Sequence, residues 1–169
     1  MKTTLLITKT AALLAVTVLL MGCATGGEHH GQYRLITSEF IANTFRDVDN
    51  VNISGSAYLC PPRNWVSGFV RSYETDVFRV GARRNSEFSS DVSACGFFWL
   101  AQLHHAKGPM SGAAGAVAVG EVWLRREGHM QAVNAIIDND LSINFIDPCM
   151  GTPFKMDDAD WSSISYVRF

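Results

Sequence analysis

The chain is short of charge of either sign. Its 169 residues carry 14 Lys and Arg against 16 Asp and Glu, a formal net charge of −2. No basic stripe is present, so the electrostatic footprint of a nucleic-acid partner is missing. Cysteine is scarce as well: four residues cannot build the dense disulfide framework of small secreted scaffolds. Beyond residue 22 no apolar run approaches the roughly 20 residues of a membrane span. No internal repeat marks a solenoid. Residues 110–120 are rich in small side chains but lack the Lys-Ser/Thr of a phosphate loop. Metal-ligand spacing is also missing. His104 and His105 are adjacent and point apart, while Asp157, Asp158 and Asp160 lack the spaced set of a calcium loop. No cofactor and no metal are expected, and the acidic trio reads as a solvated turn.

What is present begins at the N-terminus. Lys2 and Lys9 flank a polar start, Ala11 to Met21 is apolar and uncharged, and Gly22 precedes Cys23. This is the layout of a secretory signal. Leu20-Met21-Gly22-Cys23 resembles the lipobox of bacterial lipoproteins. The resemblance implies cleavage before Cys23, a diacylglycerol on its sulfur and an acyl chain such as palmitate on its new amino group. With Ala24 rather than Asp next, it implies a bacterial envelope protein of the outer membrane, with the membrane as a partner through lipid. The expected organisation is a signal over residues 1–22, a lipidated tether over 23–32 and one domain over 33–169. His29 and His30 fall in the tether, with no metal role expected.

Patterning predicts an α+β layout, helices first and an antiparallel meander after. A short helix is expected over 38–47, capped by Ser38, and a strand over 51–58. Pro62 opens a helix through Trp65, Phe69 and Val70. Residues 77–80 form a brief apolar segment and 83–90 a loop. Asp91 or Ser93 caps a helix running to His105, with Cys95 in its first turn. Strands are expected over 116–124, 130–137 and 143–146, with turns at 125–128 and 138–140. Residues 163–169 read as a last, edge strand.

One constellation could carry chemistry: Cys95 at a helix start, His129 at a strand start and Asp147 at the end of the next strand. A helix N-terminus favours the thiolate. An imidazole takes the proton and returns it to the leaving group, and a carboxylate orients that imidazole. A turn centred near residue 139 sets residue 131 opposite 147 and brings His129 beside Asp147. The plainer alternative is a core thiol, a turn histidine and a strand-ending aspartate.

The order helix-opening Cys, Gly-His before an apolar strand, then Ile-Asp-Pro resembles the papain-like and transglutaminase-like superfamily. Gly128-His129-Met130-Gln131-Ala132-Val133-Asn134-Ala135-Ile136-Ile137 with Phe145-Ile146-Asp147-Pro148 is most similar to the protease domain of Marasmius-type fungal agglutinins and their bacterial relatives. The resemblance spans about residues 57 to 155. It implies a papain-like fold and roles for Cys95 as nucleophile, His129 as general base and Asp147 as its orienting group. Gly96-Phe97-Phe98 stand where relatives place acidic residues, and Met130-Gln131 intervene where they read His-Ala-x-Asn.

Cys60, Cys95 and Cys149 remain after Cys23 is lipidated, an odd number in an oxidising compartment. A Cys60–Cys149 disulfide would leave Cys95 free. Pairing of Cys95 with either partner would end any thiol mechanism. Two functions are therefore expected. One is an envelope thiol hydrolase, a peptidase or amidase with a peptide or peptidoglycan substrate and the Cys95 amide as oxyanion donor. The other is a non-catalytic lipoprotein using the same fold to bind or to build.

Overall fold

The computed structural model describes residues 32–80, 90–108 and 115–169. The expected signal over residues 1–22, the expected lipidation site Cys23, the tether residues His29 and His30, most of the 83–90 loop and residues 110–114 of the small-residue stretch lie outside the described residues. The described chain runs β1 (Arg34–Thr37), α1 (Ser38–Thr44), β2 (Val51–Asn52), β3 (Ala57–Cys60) and α2 (Arg63–Val80). It continues with α3 (Ser90–Lys107), β4 (Ala116–Val117), β5 (Val119–Arg126), β6 (His129–Ile137) and β7 (Ile143–Asp147). It ends with β8 (Thr152–Pro153), α4 (Asp158–Ser162) and β9 (Ile164–Arg168).

The strands form two sheets. The larger has the order β2-β9-β5-β6-β7-β8, and a smaller one the order β1-β3-β4. Both are mixed: β2 runs parallel to β9 and β4 parallel to β3, while the other pairs are antiparallel. This corrects the expected papain-like arrangement of helices on an antiparallel meander. The terminal strand is also corrected, since β9 lies between β2 and β5 rather than at an edge. The expected strand over 51–58 divides in two, and β2 and β3 join different sheets.

The hairpin from β5 to β6 turns on Glu127 and Gly128, at φ 53° and 82°. Two consecutive positive φ values are what a two-residue turn needs to follow the right-handed strand twist. The next connection is wider. Asp138 is buried, and its carboxylate accepts from the amides of Asp140 (3.1 Å) and Ser142 (3.0 Å) and from Asn144 Nδ2 (3.1 Å). Those bonds hold a five-residue turn over 138–142, with Leu141 at φ 66°.

Alternation along the strands makes two cores. Val122, Leu124, Val133, Ala135, Ile137, Phe145 and Val167 pack with Ile41, Phe45 and Tyr58 on one face. Val119, Ile136 and Ile146 meet Phe69, Tyr73, Phe97 and Ala101 of α2 and α3 on the other. Gly120 permits the close approach of β9: a Cβ there would lie 2.6 Å from the Arg168 carbonyl oxygen and 2.6 Å from the Phe169 ring. Asp157 and Asp160 are a capping box for α4, each carboxylate accepting the other's amide, and Asp160 also faces Arg126 Nε at 3.5 Å. Among the described residues no helix is long and apolar enough to cross a membrane.

Candidate functional site

Cys95 is half-buried on α3, on the side facing the large sheet's helix-bearing surface. The helix begins at Ser90, whose hydroxyl accepts from the Ala132 amide at 3.1 Å. Cys95 is thus beyond the first turn. Only the first four amides of a helix lack an intrahelical partner, so the Cys95 N–H is not among the free donors that the oxyanion expectation required.

A row of polar side chains crosses the sheet beneath this helix. Asn134 on β6 stands opposite Glu121 on β5, and Glu121 opposite Arg168 on β9. Asn134 is fully buried and donates to the carbonyls of Ala94 (3.0 Å) and Gly120 (3.1 Å), tying α3 to β5. Arg168 pairs with the buried Glu121 carboxylate and places Nη2 3.9 Å from Cys95 Sγ. Its guanidinium carbon also lies 5.5 Å from the Phe98 ring centroid, a cation–π contact. Burial acts against the Arg168 cation. The hydrogen bond and charge of Glu121, with a smaller contribution from Cys95, more than offset it, so the Arg168 pKa moves up.

His129 is not part of this row. It is exposed at the start of β6, opposite Arg126. The α3-facing positions of β6 are the even ones, where Asn134 and Ile136 point; His129 is one residue out of phase, on the other face. In a strand a one-residue offset reverses the face of the side chain. It is also five residues from Asn134, about 16 Å along the strand. Asp147 lies on the His129 side but far along: Asn134 pairs with Ile146, which sets Asp147 opposite Val133. Four residues, about 13 Å, separate Val133 from His129. The Asp147 carboxylate instead accepts from the amides of Cys149 (2.8 Å) and Met150 (3.2 Å), holding the turn after β7.

The other described histidines are occupied elsewhere. His104 meets Trp65 at 5.3 Å and Phe69 at 5.5 Å, and His105 packs on Tyr33 at 5.5 Å. No described imidazole therefore serves Cys95. The expected Cys60–Cys149 disulfide is absent, since Cys60, Cys95 and Cys149 are all free thiols. Cys60 is buried at the end of β3, and burial pushes its thiol up to about 12, with Arg34 opposing and Asp138 adding. Among the described residues no three His, Cys, Asp or Glu side chains gather as a metal site. Glu121, Asn134 and Arg168 were missed in the sequence. Glu121 and Asn134 each stand inside an apolar stretch of β5 and β6, which was their signal, whereas Arg168 ends β9 and had none.

A second candidate is a cleft of about 490 Å³ between α2 and the β7–β8–α4 end of the large sheet. Val66, Ser67, Asn144, Phe154, Met156 and Trp161 contribute to its wall. It combines aromatic surface with a hydroxyl and an amide.

No protein-family model matches this chain, and no curated protein does. Solved structures do. A PSL1a-E64 complex superposes with TM-score 0.59 at 17% identity, over 80% of this chain and 51% of that one. The lectin of Polyporus squamosus, bound to the human-type influenza-binding epitope Neu5Aca2-6Galb1-4GlcNAc, gives TM-score 0.56 at 16% identity, over 80% and 49%. The likeness is one of fold. This chain spans about half the length of those lectin chains. The papain-like assignment, and with it the peptidase and hydrolase labels, is corrected by this finding together with the mixed sheets.

Proposed function

We propose that this chain is a non-catalytic binding module of the bacterial cell envelope, anchored through Cys23, and that its ligand is a glycan such as the peptidoglycan backbone. One observation carries the non-catalytic part: the side chain set against the Cys95 thiol is Arg168, itself paired with Glu121, and among the described residues no histidine joins them. Without a base beside it, a thiol lacks the proton acceptor that acyl transfer needs. The polar row instead ties α3 to β5, β6 and β9, so it serves architecture. The lectin likeness supports a carbohydrate ligand, and the Trp161–Phe154 cleft supplies the chemistry. Sugars present apolar C–H faces that pack on aromatic rings and hydroxyls that pair with groups such as the Asn144 amide and Ser67 hydroxyl.

Titration of the mature protein with soluble peptidoglycan disaccharide fragments, followed by calorimetry, tests this reading. Saturable binding is expected, lost in Trp161→Ala and kept in Cys95→Ala. Release of a cleaved product that depends on Cys95 would overturn it.

A further inference from the structure

Helix α3 is apolar on two opposite sides. Ala94, Phe97 and Ala101 are buried on the sheet. Directly opposite run Val92, Trp99, Leu100 and Leu103, at spacings of seven, one and three residues, and they are exposed: Trp99 by 60% and Leu103 by 51%. Residues so spaced share one stripe of a helix. A second apolar stripe, beyond the one packed on the sheet, calls for a second cover, and an exposed apolar patch marks an interaction surface.

The place where the tether joins the body points to the cover. The described chain begins at Gln32, and Tyr33 packs against His105 at the C-terminal end of this same helix. Ten residues separate Cys23 from Tyr33, a reach of at most about 35 Å. Helix α3 is about 27 Å long, so a lipid on Cys23 keeps the whole stripe within reach of the bilayer. The chemistry of the stripe suits that surface. Trp favours the headgroup boundary, and Lys107, four residues after Leu103 at the exposed end of the helix, can extend its amine toward anionic headgroups. The only acid on α3, Asp91, is half-buried at its far end.

We propose that the Val92–Trp99–Leu100–Leu103 face of α3 lies on the membrane that holds the anchor, so that the body rests against the bilayer instead of swinging on its tether. This rests on the lipid-anchor reading of Cys23. Docking fixes orientation: the helix-bearing face of the large sheet turns to the lipid and the opposite core to the periplasm.

The test uses the full chain, purified from bacterial membranes and reconstituted into phosphatidylethanolamine–phosphatidylglycerol vesicles with brominated acyl chains. Intact mass reads the anchor, and tryptophan quenching reads the docking. Lipidated protein should be quenched, and Trp99→Phe should lose that quenching. Leu103→Glu should lose it while staying anchored and keeping its far-UV circular dichroism. A mass without lipid would overturn the anchor reading and the docking together. Lipid on Cys23 without Trp99-dependent quenching would overturn docking alone. So would a dimer that Leu103→Glu dissociates, which would assign the face to a second copy.

Discussion

Arg168 Nη2 lies 3.9 Å from Cys95 Sγ, across the helix–sheet interface, while the same guanidinium pairs with Glu121. The thiol is thereby a neighbour of a structural ion pair. Glu121 is buried, whereas the Arg168 side chain is 37% exposed. Arg168→Met leaves the carboxylate buried without its cation. Because the pair is partly solvated, the expected cost is about 1–3 kcal/mol, below that of a fully buried pair. Urea unfolding checks this, and Glu121→Gln in the same chain should restore part of the loss.

Cys60 gives an alkaline limit. Its folded pKa, about 12, stands above the ordinary 9.0, so the folded state resists losing the proton. The stability this supplies is fully present below about pH 9 and declines as pH rises toward 12. Unfolding midpoints measured over that window should fall, and less steeply in Cys60→Ala. Iodoacetamide at pH 8 should label Cys149 and leave Cys60 unmodified until denaturant is added.

His105 gives the acid limit. Burial, with a contribution from His104, holds its pKa below 6.5. Its Nδ1 is buried without a hydrogen-bond partner among the described residues. The unfolded chain therefore takes up a proton first, and stability falls as pH drops below 6.5. His105→Phe should flatten that decline while keeping the contact with Tyr33, as read by unfolding midpoints between about pH 7 and 5.

Gly120 is fixed by the approach of β9. Alanine there would overlap the Arg168 carbonyl and the Phe169 ring, each at 2.6 Å from the new Cβ. Gly120→Ala should cost about 1–3 kcal/mol through forced separation of the strands, seen as a lower unfolding midpoint.

Much of the β5–β6–β7 region was legible in the sequence. Glu127-Gly128 marks its own tight turn, and the apolar alternation on either side sets the strands. The triad geometry was not legible, for two reasons. The turn after β6 has five residues, because Asp138 folds it around its own carboxylate, so the β7 register lies two residues from the one expected. And His129 occupies an odd position of a strand whose even positions face α3. Residues 51–58 alternate smoothly, yet only tertiary pairing shows that Val51 joins β9 while Tyr58 joins β1 and β4.

The position of β9 has a consequence for how the chain acquires its fold. Residues 164–168 fill the slot between β2 and β5, so the large sheet stays open until the last of its strands has emerged. During vectorial synthesis, β5 to β8 can assemble early but must wait with one flank of β5 unpaired. An open strand flank is where non-native pairing starts. The vulnerable period for this sheet therefore lasts until β9 arrives, and chaperones that guard unpaired strands would matter most before then.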